Sequence, residues 1–230
     1  MTASREGIAN AKNNYRVHQM TSASLNPDLI ATYDRLAANY DTLHRRWLQH
    51  AGGEAQAALE AVVRALATTD TNLLDVGCGT GAFARSLIAE GMSPTRVTLL
   101  DPSKAMLKFC IDTNARQVNG RLEALPFESR TFDVVTCAWS LETVQDVELA
   151  LQELSRVVRH KGVLCLAFCA QKPSRGLADQ LMRLAVTWRG TGRFLSCKQV
   201  LDTLQKSGEF DVRTVPTQGP AATLLARRLY

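Results

Sequence analysis

The sequence predicts an α/β fold built on a parallel sheet with helices on both faces. Two observations carry this expectation. Short apolar runs alternate with segments of helical period through the middle of the chain. Those runs are apolar almost throughout, as strands buried on both faces are. At 230 residues the chain suits a single domain. Such a length buries roughly 70–75% of the unfolded surface with no disulfide or metal staple. No apolar run approaches the ~18 residues of a membrane span.

Residues 1–25 are polar and read as an N-terminal arm. They lack the apolar stretch of a secretory signal, so a cytoplasmic protein is expected. Arg5, Lys12 and Arg16 against Glu6 alone also suit a mitochondrial presequence, but a polar arm is the preferred reading. From Asn26, "NPDLIATYDRLAANYDTLHRRWLQHA" repeats Leu29, Tyr33, Leu36, Tyr40, Leu43 and Trp47 at intervals of three or four, which is helical spacing. With the helical "EAQAALEAVVRALAT" it makes residues 26–70 a helical cover. A core over 71–170 follows, with strands at Leu73–Val76, Val97–Leu100, Phe132–Cys137 and Val163–Phe168. Helices are expected near 81–90, 103–115 and 146–159.

After Phe168 the pattern changes, and 171–205 reads as an insertion over the substrate side. It holds a helix from about Leu177 to Arg189, a turn at Gly190-Thr191-Gly192 and a second helix. Ser196 with Gln199 three residues later fits a capping box for that helix. The runs Phe210–Val215 and Thr223–Leu229 can pair as closing strands, so 26–230 is read as one domain.

Net charge is +5, and residues 171–200 carry it. Lys172, Arg175, Arg183, Arg189, Arg193 and Lys198 face Asp179 alone there. Such a segment suits an anionic substrate, a lipid head group or nucleic acid; a solvated helix face is the plain alternative. Its apolar Leu177, Leu181, Leu184, Trp188 and Phe194 also suit peripheral membrane contact. Nucleic acid is disfavoured, because there is no long basic stripe and aromatic residues are only 6%. The six cysteines, Cys78, Cys110, Cys137, Cys165, Cys169 and Cys197, form no CxxC pair and have no nearby histidines at metal spacing. Reduced thiols and no metal are expected. For His18, His44, His50 and His160, solvation is the default.

The stretch that carries chemistry is "LLDVGCGTGAFA", residues 73–84. A carboxylate, Asp75, precedes glycines at 77, 79 and 81. Glycines at a strand end permit a tight turn and let a ligand approach the backbone. A dinucleotide site would read G-x-G-x-x-G/A, which Gly77, Gly79 and Ala82 meet loosely. Asp75 is an awkward neighbour for a pyrophosphate, whereas a ligand with an ammonium group welcomes it.

"LLDVGCGTG" resembles the cofactor motif of class I S-adenosylmethionine-dependent methyltransferases. The resemblance implies a Rossmann-like, mostly parallel, seven-stranded sheet. It also implies that Asp75, Gly77, Cys78, Gly79 and Gly81 surround the methionine part of S-adenosylmethionine. Asp101, which ends "RVTLLD", would accept two hydrogen bonds from ribose hydroxyls, with Pro102, Ser103 and Met106 in the same contact segment. "LEALPF" (122–127) followed by "TFDVVTC" (131–137) looks like the family's adenine loop and fourth strand, which assigns Leu122 and Glu123 to the cofactor. "ALQELSRVVRHKGVLCLAF" (150–168) looks like its helix, glycine turn and fifth strand. Arg121 departs from the pattern: relatives carry an acid or amide there, and arginine has only donors. Either backbone near Leu122 holds the adenine, or Arg121 turns away to pair with an acid.

"TYDRLAANYD" (32–41) resembles the N-terminal segment of the ubiquinone and menaquinone C-methylating enzymes. That resemblance implies that Tyr40 lies near the cofactor's methionine portion, with Tyr33 beside it; a helix core face also explains both. In "AWSLETV" (138–144), Ala138, Trp139 and Ser140 take the substrate-side position, with Trp139 and Ser140 near the methyl group and Ala138 and Trp139 also counted among the cofactor contacts. Glu142 could orient an amine or take a proton, or else cap a helix or pair with an arginine. Tyr40, Trp139 and Glu142 are therefore the candidate catalytic residues. The expected function is methyl transfer to a small-molecule acceptor. A lipid-linked acceptor is the first alternative, a non-catalytic cofactor-binding protein the second, and a nicotinamide oxidoreductase a distant fourth reading.

Overall fold

A computed structural model describes residues 27–172 and 193–230. The polar arm, the expected helix from Leu177 to Arg189 and the turn Gly190-Thr191-Gly192 lie outside the described residues. Helix α1 (Pro27–Leu36) opens on a proline, whose missing N–H costs nothing at a first helical position. The expected continuous helix from Asn26 is broken. A 3-10 turn at Ala37–Asn39 separates α1 from α2 (Tyr40–Trp47), and a π-helical turn at Leu48–Gly52 leads into α3 (Gly53–Leu66).

The remaining elements alternate. They are β1 (Leu73–Val76), α4 (Ala82–Ala89), β2 (Val97–Asp101), α5 (Lys104–Lys108), β3 (Arg116–Asn119), β4 (Phe132–Ala138), α6 (Val147–Val157) and β5 (Val158–Cys169). Helix α7 (Cys197–Gln205) and strands β6 (Phe210–Val215) and β7 (Ala221–Arg228) close the chain. The sheet has seven strands in the order β3-β2-β1-β4-β5-β7-β6, and β7 pairs antiparallel with both neighbours.

Period-two alternation splits the core into two layers. Leu73, Leu99, Val134, Val163 and Cys165 point to one face, under Leu59 and Val63 of α3 and Leu87 of α4. Leu74, Leu100, Val135, Leu164 and Leu166 point to the other, under Leu151 and Leu154 of α6 and Val200 and Leu204 of α7. Caps set the helix starts: Ser103, Asp146 and Ser196 accept the N–H of Met106, Leu149 and Gln199.

Two boundaries differ from expectation. The helix near 103–115 stops at Lys108, followed by a short turn at Ile111–Thr113. Asn114, left-handed at φ 54°, then turns the chain into β3, an edge strand with no apolar alternation to announce it. Strand β5 begins at Val158, before the "RHKG" turn, and a register shift between Phe132 and Val134 absorbs the extra residues.

Candidate active site

The carboxyl ends of β1, β2 and β4 meet under α1 and α2, and a cleft of about 540 Å³, open to solvent, lies between them. Its floor is the turn after β1. Gly77, Gly79 and Gly81 all adopt positive φ, at 70°, 55° and 76°. At Gly77 glycine is obligatory for a second reason: a Cβ would lie 1.9 Å from Ser140 Oγ. At Gly79 a Cβ would stand 3.3 Å from the Tyr40 ring, so the tyrosine rests directly on the turn. The Gly77 and Cys78 N–H groups donate to the Leu100 carbonyl and tie the turn to β2.

Asp101 ends β2 at the cleft. Its Oδ2 accepts the Gly79 N–H at 2.9 Å and its Oδ1 the Ser103 N–H at 2.8 Å. Burial pushes this carboxyl up to about 6, against the opposing pull of those two donors. Asp75 lies behind the turn and does not line the cleft. It accepts the Thr136 hydroxyl at 2.7 Å, and burial pushes it up to about 6 as well. The Cys78 thiol is raised by its hydrogen bond to the neighbouring Cys110 thiol and by burial. All six cysteines are free.

The cover supplies the roof. Leu29, Ile30, Tyr33 and Tyr40 face the cleft, and the two tyrosine rings meet edge-on at 6.2 Å. Burial raises both phenols. The residue after each tyrosine fastens the cover down. Asp34 accepts the Ser103 hydroxyl at 2.5 Å and the Ala105 N–H at 3.3 Å; Asp41 accepts the Thr80 hydroxyl at 2.5 Å. One helix pair thus reaches both loops that shape the cleft. His44, expected to be solvated, is half-buried instead. It stacks on Tyr40 at 5.5 Å and meets Trp139 edge-on at 6.3 Å, and burial lowers its imidazole below the ordinary value.

Trp139, just past β4, holds φ 59°, a costly conformation for an aromatic residue. Its backbone N–H donates to Ala167 O and its indole N–H to Gln56 Oε1 at 2.6 Å. Ser140 and Thr143 line the cleft beside it. Glu142 is 6% exposed and absent from the lining. Its Oε1 accepts the Cys169 N–H at 3.3 Å, its Oε2 has no hydrogen-bond partner, and burial pushes it up to about 7.

Of the sequence-predicted residues, the structure gathers Tyr33, Tyr40, Gly77, Gly79, Asp101, Pro102, Ser103, Met106, Leu122 and Trp139 around the cleft. Cys78, Gly81, Glu123 and Ala138 belong to the same loops but do not line it. Glu123 turns aside to accept the Gln145 N–H at 3.2 Å and lies 3.9 Å from Arg121, which therefore pairs with an acid. Ile30, Thr143 and Gln56 were not singled out by the sequence, and Leu29 was named there only as part of the helical period of the cover. Among the described residues no group of histidine, cysteine, aspartate or glutamate side chains could hold a metal, and no helix is long and apolar enough to cross a membrane.

Comparison with known proteins agrees with this geometry. Residues 74–166 match the family described as "Methyltransferase domain". A ubiquinone/menaquinone biosynthesis C-methyltransferase from Idiomarina loihiensis is 31% identical over 71% of this chain and 68% of its own. A malonyl-[acyl-carrier protein] O-methyltransferase from Pectobacterium atrosepticum is 32% identical over 76% of this chain and 66% of its own. The chain spans about half to two thirds of the length of the curated relatives it matches. A Thermotoga maritima structure described as an S-adenosylmethionine-dependent methyltransferase superposes with a TM-score of 0.65 at 19% identity, covering 86% of this chain and 99% of that one, a likeness of fold. With the glycine turn, the acidic end of β2 and the 3-2-1-4-5-7-6 sheet on the same chain, it belongs to the class I S-adenosylmethionine-dependent methyltransferases.

Proposed function

We propose that the protein transfers a methyl group from S-adenosylmethionine to a small-molecule acceptor by in-line displacement. The observation that carries this reading is the pairing of the glycine turn with Asp101 at one cleft. The donor set fits the cofactor. Gly77 and Gly79 hold the left-handed turn and let Ser140 and Tyr40 pack directly on it, and each Asp101 oxygen keeps an acceptor position beyond its backbone donor. Asp101 would then hold the ribose hydroxyls. Asp75, Gly77, Cys78, Gly79 and Gly81 would frame the methionine portion, with Tyr33 and Tyr40 closing over it. Pro102, Ser103, Met106 and Leu122 would line the nucleoside side, with Glu123 and Ala138 behind them in the same loops. When bound, the cofactor supplies an electrophilic methyl on a sulfonium, with a neutral leaving group.

The chain's own task is then alignment, which can be worth roughly 7–11 kcal/mol. Tyr40 would orient the donor end. Trp139 would wall the acceptor side, and aromatic faces beside a cation contribute about 0.5–2 kcal/mol. Glu142, buried outside the cleft lining, is not given the acceptor's proton, since a general base must lie within hydrogen-bond reach of the proton it takes. In this reading residues 26–230 act as one unit with 26–70 as cover, and most of the segment 171–205 expected over the acceptor lies outside the described residues. The relatives' names point to carbon in one case and oxygen in another, so the acceptor atom is not carried over.

The test is calorimetry with S-adenosylhomocysteine and NAD, then transfer of labelled methyl from S-adenosylmethionine to reduced naphthoquinone, a catechol and a simple thiol. Binding of the methionine-derived ligand and label in one acceptor is the expected result. Binding of NAD alone would overturn the cofactor assignment. Cofactor binding with no transfer to any acceptor would favour a non-catalytic role.

A further inference from the structure

Trp139 is held by a polar chain that no motif announces. The Gln56 amide sits between two groups of opposite character. Its Oε1 accepts the Trp139 indole N–H at 2.6 Å, and its Nε2 donates to Glu60 Oε1 at 2.7 Å. Indole is a donor only and a carboxylate an acceptor only, so a glutamine of this orientation satisfies both at once. The chain continues outward along α3. Arg64 Nη1 donates to Glu60 Oε2 at 2.7 Å, and Arg64 Nε to Glu90 Oε2 at 2.9 Å. Residues 56, 60 and 64 share one helix face at intervals of four, so a single stripe of α3 runs from the cleft wall to the surface.

The indole is also confined by its neighbours. His44 and Trp47 meet it edge-on at 6.3 and 5.7 Å. Gly52 admits that approach, because a Cβ there would lie 2.5 Å from Trp47 Nε1 and 2.8 Å from Trp139 Cη2. A residue kept at φ 59° needs surroundings that over-determine it. Gln56, 8% exposed, is the polar part of that constraint.

We infer that Gln56 is a positioning residue for methyl transfer: through the Trp139 indole N–H it fixes the aromatic wall on the acceptor side of the cleft. The inference rests on the reading that Trp139 faces the acceptor. Gln56 itself touches neither ligand, so its effect falls on the acceptor rather than on the cofactor.

The experiment labels the indole nitrogens of the three tryptophans, Trp47, Trp139 and Trp188, and assigns the Trp139 N–H signal with Trp139→Phe. Gln56→Met keeps the volume but removes the acceptor; Gln56→Glu keeps an acceptor for the indole and sets a second carboxyl against Glu60, where the pair can share one proton. The expected result is a Trp139 indole proton shielded from solvent exchange in the native protein and in Gln56→Glu, and fast-exchanging in Gln56→Met. With reduced naphthoquinone as acceptor, Gln56→Met and Trp139→Phe should each raise KM about tenfold, the scale of one buried hydrogen bond. Their double variant should be no worse than Trp139→Phe, and S-adenosylhomocysteine affinity should change by less than about twofold. A Trp139 proton equally shielded in Gln56→Met overturns the inference, whatever the turnover. A KM altered by Trp139→Phe but not by Gln56→Met also overturns it, while leaving Trp139 as the wall. Unaltered acceptor kinetics in Trp139→Phe would instead refute the reading beneath it.

Discussion

Replacing Asp101 with asparagine tests the acidic end of β2 by two independent readouts. In the protein, Oδ2 accepts the Gly79 N–H and Oδ1 the Ser103 N–H. Asparagine keeps one oxygen and turns an NH2 group towards the other amide, so one backbone donor loses its acceptor. A hydrogen bond to a charged group is worth about 1.5–3 kcal/mol. Asparagine also removes the cost of burying the charge, which raises this carboxyl to about 6, so the unliganded fold should change little at neutral pH. The same change removes acceptor positions proposed for the ribose hydroxyls. The loss of one such bond there weakens the cofactor by about 10- to 150-fold. The second readout is pH. Burial holds this carboxyl at about 6, and binding that requires the ionised form weakens below that value. At about pH 5 roughly one protein in ten carries ionised Asp101, so native affinity should fall about tenfold from its value above pH 7. In Asp101→Asn that dependence should become shallower, with Asp75, raised to about 6 as well, retaining its own share. Titration calorimetry with S-adenosylhomocysteine at both pH values is the assay. Native affinity in Asp101→Asn at neutral pH would refute the ribose role, and an equally steep pH dependence would refute the assignment of the titration.

Glu142→Gln should alter stability in a pH-dependent direction. The folded carboxyl is raised by burial from its ordinary 4.5 to about 7, so its contribution is full below about 4.5 and is lost as pH climbs through 7. The glutamine avoids that loss, and its Tm relative to the native protein should rise between about pH 5 and pH 8, corresponding to about 3 kcal/mol at most. A Tm difference constant over that range would sink the argument. The cover predicts a kinetic effect: Asp41→Ala leaves the buried Thr80 hydroxyl without its acceptor, and Asp34→Ala does the same to Ser103. Each should speed S-adenosylhomocysteine dissociation about three- to tenfold in stopped-flow displacement, with the double variant faster still. Unchanged release rates would mean that the cover does not gate the cleft.

Much of the sheet was legible in the chain because local rules govern it. Strands buried on both faces must be apolar, and a turn of left-handed residues must be glycine, so β1, β2, β4, the core of β5 and the turn at 77–81 announce themselves. Strand β3 did not, since an edge strand of Arg116, Gln117, Val118 and Asn119 carries no alternation and is recognisable only by its pairing with β2. The end of α5 was missed for a related reason: Asn114 supplies the turn, and one asparagine is a weak signal.

At the site, Gly77, Gly79 and Asp101 followed from residue type and strand position, because their roles depend on backbone conformation and a strand end. What joins the cover to the core did not. Asp41 meets Thr80 across 39 residues, Asp34 meets Ser103 across 69, and Gln56 meets Trp139 across 83. Such partners depend on how two helices cross the carboxyl end of the sheet, and no local periodicity encodes that crossing. The sequence by itself determined the inner strands and the glycine turn, since each follows from the conformational limits of single residues, while the class of ligand came from the motif's resemblance to a known family. Only the tertiary structure decided which side chains roof the cleft, which carboxylates fasten that roof and which amide holds the wall, because burial and distance exist only once the elements have packed.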